Sequence, residues 1–180
     1  MEKQSKSSGR IFMILIAVIA WAGLVIQFYI TFTHPNLAEN TPGERISRFF
    51  DFFTILTNLL VAVSLTISLL LPQTALGRFF SSNNVRSDIA LYIVLVGVTY
   101  NLLLRGTHPT EGWAAIAANE ITHVIVPLLY AIYWLFFIPK GSLNWISPLW
   151  WLIYPLVYLP YALIRGSSTG FYPYYFIDVG

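Results

Sequence analysis

The chain has 180 residues and a mean hydropathy of +0.67; 57% of them are hydrophobic, only 10% are charged, and 6 Trp, 11 Tyr and 13 Phe are present. A water-soluble domain carries about 25% charged residues, so this composition excludes one. The absence of cysteine excludes disulfide frameworks, thiolate metal sites, haem attachment and thiol nucleophiles, and a net charge of +2 with no basic run leaves nothing to hold a nucleic-acid backbone.

A bilayer core of about 30 Å needs a helix of roughly 20 apolar residues. After the polar MEKQSKSSGR, expected to be a cytoplasmic tail, residues 11–32 form the first such stretch. It is too long for a signal-peptide core and lacks a small-residue cleavage site, so it stays in the membrane. A loop with His34, Pro35, Pro42 and Gly43 follows, and a second span covers 49–71, ending at Pro72. Residues 73–88, with Gly77, Ser81, Ser82, Asn83 and Asn84, read as a connecting loop. A third span runs over 89–104. Arg105, Gly106, His108, Pro109 and Gly112 then interrupt the pattern, and a fourth span occupies 119–138, just before Pro139, Lys140 and Gly141. The fifth, 145–164, carries Pro148, Pro155 and Pro160 and should be kinked, which membrane helices tolerate because neighbours satisfy the freed carbonyls. Residues 166–180 are left as a C-terminal tail. The expected fold is therefore all-α, a polytopic bundle of five transmembrane spans.

Short cytoplasmic segments retain Lys and Arg. With the N-terminus inside, the inner segments hold 6 cations (Lys3, Lys6, Arg10, Arg78, Arg86 and Lys140) against 4 outside (Arg45, Arg48, Arg105 and Arg165), which favours a cytoplasmic N-terminus in the cell membrane.

Ionisable and amide groups in hydrocarbon are costly, and each is a functional-site candidate. Here they converge on one face. The second and fourth spans run in the same direction and begin with Asp51, Thr54 and Asn58, and with Glu120 and His123. The third and fifth run oppositely and end with Asn101 and Arg105, and with Arg165, while Asp178 follows in the tail. Spacings of three, four and seven put each set on a single helix face. The other ends, LLLP and LFFIP, carry no comparable groups. The plain alternatives are that Asp51, Glu120 and Arg105 answer helix dipoles at the interface, and that Thr54 and Thr57 bond back to a preceding carbonyl. Tyr and Trp read mostly as interfacial belt residues. His123 stands apart, because Pro127 four residues later deprives its carbonyl of a helical donor and loosens the helix there.

A threonine hydroxyl becomes a nucleophile when a base takes its proton, and neutral imidazole suits that task. Thr54 and His123 are the hydroxyl and imidazole expected to share depth and helix start. Glu120 or Asp51 would orient the ring, and Asn58, Asn101 or Arg105 would donate to an oxyanion. A metal is disfavoured, since His34 and His108 fall in loops and no spacing matches a ligand set. No cofactor is expected.

The segments FFTILTNLLVAVSL (52–65), YNLLLRG (100–106), THVIVPLLYAIYWLFFIPKG (122–141) and YPLVYLPYALIRGSSTGFYPYYFIDV (154–179) together resemble the bacterial Pr-six-Pr membrane proteins, relatives of the androgen-induced and androgen-dependent integral membrane proteins of animals. The animal members are looked upon as intramembrane threonine hydrolases of fatty acid esters of hydroxy fatty acids. By that resemblance the threonine of the family's FLT pattern falls on Thr54 and the histidine of its HxxxLP pattern on His123. The animal proteins have an aspartate where this chain has Thr57. The family has a sixth helix after the YPYxF stretch, which lies beyond this chain's end. The resemblance thus implies hydrolysis of a lipid ester within the bilayer, with membrane lipids and an amphipathic ester as partners. The rival expectation is a non-enzymatic binder or carrier of a lipid or small molecule, and a proton or ion pathway through Asp51, Glu120 and His123 comes third.

Overall fold

The computed structural model describes residues 2–33, 40–107, 111–141, 143 and 146–179, with side chains from Ser7 onward. His34, Pro35, His108, Pro109 and Trp145 lie outside the described residues. The chain is all-α, with no strand among those residues, and five of its helical stretches are long and apolar enough to cross a membrane: Ser7–Thr33, Phe53–Leu70, Asn83–Leu104, Trp113–Phe137 and Ser147–Thr169.

Helix α1 (Glu2–Thr33) is one continuous rod that takes in the polar start of the chain, so the expected tail is helical. It buries Met13, Ile16, Ala17, Ala20 and Leu24, a stripe at helical spacing. In lipid the hydrophobic effect does not drive helices together, and small residues that let backbones approach take its place. Gly23 shows this on α1, where an added Cβ would stand 2.5 Å from the Ile121 side chain.

The second span was expected to begin at residue 49. Instead, α2 (Pro42–Phe50) is a separate short helix, because Thr41 and Glu44 form a reciprocal capping box and Pro42 sits in the first turn. The Glu44 carboxylate accepts from the Thr41 amide at 2.7 Å and from the Thr41 hydroxyl at 3.0 Å, and these two contacts hold its pKa below the usual range. The chain breaks at Asp51 and Phe52, the latter extended, and α3 (Phe53–Leu70) starts afresh.

Residues 73–88, expected as loop, hold α4 (Ala75–Ser81) and the start of α5 (Asn83–Thr99). Thr74 and Ser82 cap these helices with their hydroxyls, a signal that the glycine, serines and asparagines of this stretch concealed. Gly77 is required there: a Cβ would meet the Leu71 carbonyl oxygen at 1.8 Å. The fourth span begins earlier than residue 119, with α6 (Trp113–Glu120), since Gly112 at φ +82° turns the chain into it, and it continues as α7 (Val126–Phe137). In the fifth, Pro148 opens the short α8 (Ser147–Trp151), and α9 (Ile153–Thr169) carries Pro160 inside it. This helix ends at Gly170, in the left-handed conformation, so it extends past residue 166.

Between α5 and Arg105, and between α6 and α7, the helices loosen into π turns, Tyr100–Leu104 and Ile121–Ile125. The second π turn carries the proline effect expected at His123. Pro127 has no N–H to give, the Val126 amide instead reaches back to Ile121, and the Asn101 amide donates to the His123 carbonyl at 3.4 Å.

Helix α1 packs on α3, α6 and α7, and α5 fits between α3 and α7. At Gly97, α5 lies tight against α7 and the π turn before it: a Cβ would stand 2.8 Å from Pro127 and 3.3 Å from the His123 carbonyl oxygen. Gly97→Ala is therefore expected to push α5 from α7 and to destabilise the bundle by about 1–3 kcal/mol, read as a lowered thermal midpoint in detergent. An unchanged midpoint would mean that this contact is looser than drawn.

Helix α9 is attached differently. Little of it is buried, and it is tied to the bundle by hydroxyls and a guanidinium on one face, Tyr154, Tyr158, Tyr161 and Arg165, at i, i+4, i+7 and i+11. Cross-helix polar contacts of this kind act as glue where apolar packing is thin.

Candidate functional site

Asp51, Thr54, Asn58, Asn101, Arg105, Glu120, His123 and Arg165 lie at the end of the bundle where α3 and the second π turn begin and where the third span, α6 and α9 end. They fall into three groups rather than one.

The first ties α9 to the α2–α3 break. The Asp51 side chain is 1% exposed, and Arg165 donates to its two oxygens from Nε and Nη2 at 2.9 and 3.2 Å. The Tyr161 hydroxyl donates to Asp51 Oδ1 at 3.2 Å, and Tyr158 donates to the Asp51 carbonyl at 2.8 Å. A carboxylate with both oxygens occupied by a forked guanidinium is a structural clamp, so Asp51 and Arg165 serve the fold.

The second group lies at the rim. Arg105 pairs with Glu120 at 2.9 Å and donates from Nε to Asn101 Oδ1, also at 2.9 Å. The Glu120 hydrogen bond raises the Arg105 pKa and fixes its charge. These side chains are 45% and 38% exposed, which makes the pair a modest contributor to stability. Asn101 passes the chain on, donating to the carbonyls of Gly97 and His123. Thus two Arg–carboxylate pairs, Arg165 with Asp51 and Arg105 with Glu120, join separate helical segments at this end.

The third group contains Thr54, Asn58 and His123. Asn58 is fully buried and its amide bridges the Thr54 carbonyl at 2.9 Å and the Thr122 carbonyl at 3.1 Å, so α3 is fastened to the π turn beside His123. Its Oδ1 has no hydrogen-bond partner among the described residues. His123 Nδ1 lies 3.0 Å from the Asn119 carbonyl, which can only accept. The proton is therefore assigned to Nδ1, and in the neutral ring Nε2 keeps the lone pair. No hydrogen bond to Nε2 occurs among the described residues. The ring stacks on Tyr100 with centroids 4.0 Å apart, and Asn119 in turn donates to the Tyr100 hydroxyl.

Thr54 opens α3, whose N-cap Phe52 has no side-chain oxygen to give. Tyr174 supplies one: its hydroxyl accepts from the Thr54 amide at 3.3 Å and lies 3.4 Å from Thr54 Oγ1. Burial pushes the Tyr174 phenol above its ordinary pKa, so it stays protonated. The Thr54 hydroxyl thus meets Tyr174, and no hydrogen bond joins it to His123 among the described residues. Thr57 is buried on another partner, the Tyr154 hydroxyl at 3.2 Å.

Thr54 and Tyr174 border a cavity of about 400 Å³ between α3, α5 and α9. Phe53, Leu95, Val96, Leu103 and Leu159 make it apolar, and Tyr100, the stacking partner of His123, forms part of its wall. The tyrosines here were expected to be belt residues. Tyr100, Tyr158 and Tyr174 instead line the cavity, and the regular spacing of Tyr154, Tyr158, Tyr161 and Arg165 is the signal in the sequence that marks an inward face. No group of three or more His, Asp and Glu placed to hold a metal ion occurs among the described residues.

Comparison of the chain with protein-family models, with curated proteins and with solved structures finds no match in any of the three.

Proposed function

We propose that this membrane protein hydrolyses long-chain acyl esters within the bilayer, with Thr54 as nucleophile and His123 as general base. One observation carries the reading: an apolar cavity the size of an acyl segment is lined by a threonine whose own amide donates to a phenol, Tyr174. In this reading the ester carbonyl takes the place of the Tyr174 hydroxyl, and the Thr54 amide and Tyr174 O–H both donate to the oxygen as it becomes negative. Thr54 Oγ1 attacks the carbonyl carbon and His123 Nε2 receives its proton, directly or through one water, with Nδ1–H fixed by Asn119. The alcohol leaves with that proton, and water then releases the acid from the acyl-threonine. The sequence resemblance to the threonine hydrolases supports the same two residues, and the cation count supports the cell membrane with a cytoplasmic N-terminus.

A second reading, a carrier of an apolar ligand, is favoured by the contact of the Thr54 hydroxyl with Tyr174 rather than with a base. The two separate in one experiment. A fluorophosphonate probe bearing a long alkyl chain is expected to label the purified protein covalently, at Thr54 by peptide mass, and pre-incubation with a long-chain ester should slow the labelling. Reversible binding without a covalent adduct would select the carrier.

A further inference from the structure

At the opposite end, where LLLP and LFFIP carry no groups comparable to those of the first site, a second cavity of about 350 Å³ opens. Its wall is made by the start of α1, the end of α3, the start of α5 and the end of α7, and it contains Arg10, Arg86, Ser68 and Tyr133. No carboxylate lines it. Two of its donors are buried with no hydrogen-bond partner among the described residues: Ser68 Oγ, on a residue 7% exposed, and Arg86 Nε. At the far end Arg105 and Arg165 are each paired with a carboxylate, whereas neither Arg10 nor Arg86 has an ion-pair partner among the described residues. An unsatisfied guanidinium nitrogen and hydroxyl at this depth are costly, and an acceptor-rich anion between them would remove that cost.

We propose that this cavity binds a phosphate ester anion, with Arg10 and Arg86 on its oxygens and Ser68 as a further donor. Forked guanidiniums match phosphate oxygens in pairs, which a single point charge does not. The chemistry fits an anionic phospholipid headgroup and a free phosphate alike. The walls add a reason to favour the lipid, since Met13, Leu69 and Phe137 line the same cavity and suit the first carbons of a glycerol backbone. The orientation expected from the cation count also puts this end at the leaflet where basic pockets between helices recognise anionic lipid. The site is separate from the Thr54 cavity and does not depend on its function.

The test uses the full chain in nanodiscs of phosphatidylcholine, to which phosphatidylglycerol is added in one arm and inorganic phosphate, at matched ionic strength, in another. The readouts are the thermal midpoint and, for the lipid arm, phosphatidylglycerol retained in native mass spectra. Phosphatidylglycerol is expected to raise the midpoint and to be retained. Arg86→Gln should weaken retention about tenfold, the usual effect of losing a charged hydrogen bond, and Arg10→Gln and Ser68→Ala should weaken it less. Arg78→Gln is the control, because Arg78 lies outside the cavity and donates to the Gln73 carbonyl. If inorganic phosphate alone reproduces the stabilisation, the site takes the soluble anion. Equal retention in wild type, Arg10→Gln and Ser68→Ala, or an equal loss in Arg78→Gln, would overturn the proposal even if Arg86→Gln fails to fold.

Discussion

Thr54→Ala is expected to abolish ester hydrolysis, by roughly 10⁴-fold or more, because it removes the attacking hydroxyl from the cavity wall and leaves in its place only a buried phenol, Tyr174, whose proton is held more tightly. The substitution removes one hydroxyl and places a better helix former in the first turn of α3, so the protein should fold as before. His123→Ala should lose activity to a similar degree. The double variant should be hardly worse than either, since residues acting as one unit are not additive. Thr57→Ala is the informative control. Its hydroxyl is engaged with Tyr154 away from the Thr54 cavity, so its loss should cost about 1 kcal/mol of stability and little activity. Turnover of a long-chain ester that survives Thr54→Ala but not Thr57→Ala would show that the nucleophile has been misassigned. A Thr54 variant with full activity and a His123 variant with none would leave the imidazole serving a different attacking group, such as water.

Asp51→Ala should unfold the α9 attachment. Arg165 would lose both of its acceptors, and Tyr161 one of its two, in a region where α9 has little apolar burial to fall back on. Breaking a buried pair by removing one partner typically costs 3–5 kcal/mol, and the partial exposure of Arg165 places the expectation near the lower end, about 3 kcal/mol. For a chain of this size that lowers the thermal midpoint by roughly 6–12 °C. Replacing both partners, as in Asp51→Leu with Arg165→Met, should recover much of the loss, because the uncompensated charge is gone. A midpoint unchanged by Asp51→Ala would mean that α9 is held mainly by its tyrosines. Because α9 also forms one wall of the Thr54 cavity, the single variant should weaken acyl-ligand binding in step with stability, and the double variant should restore it.

The end of the bundle that carries the site was legible from helix direction alone. Alternating spans force the starts of two and the ends of two others to one level, and each of the expected residues is found there. The loosening at His123 was legible too, since a proline four residues on leaves a carbonyl without its donor whatever the surroundings. What could not be read was the partner of each group. Thr54 and His123 share a level, but their hydrogen bonds go to Tyr174 and Asn119, a tail residue 120 positions away in one case and the preceding turn in the other. The basic cavity at the opposite end was missed because Arg10 was read as tail and Arg86 as loop, whereas the continuous α1 and the Ser82-capped α5 carry both into the bundle wall.

Composition and hydropathy by themselves determined that this is a membrane protein, all-helical, with five spans, because hydrocarbon leaves the backbone no other way to satisfy its polar groups. Local chemistry set further details that were open to reading: the capping box that starts α2, the hydroxyls that start α4 and α5, and the π turn ahead of Pro127. Only the tertiary structure decided which polar groups brace the fold and which face a cavity. Asp51 and Thr54 are three residues apart, and one is clamped by Arg165 while the other looks into an apolar chamber. The difference lies in where α9 and the segment after it return to pack, a long-range outcome that depends on shape and not on the pattern of any one helix.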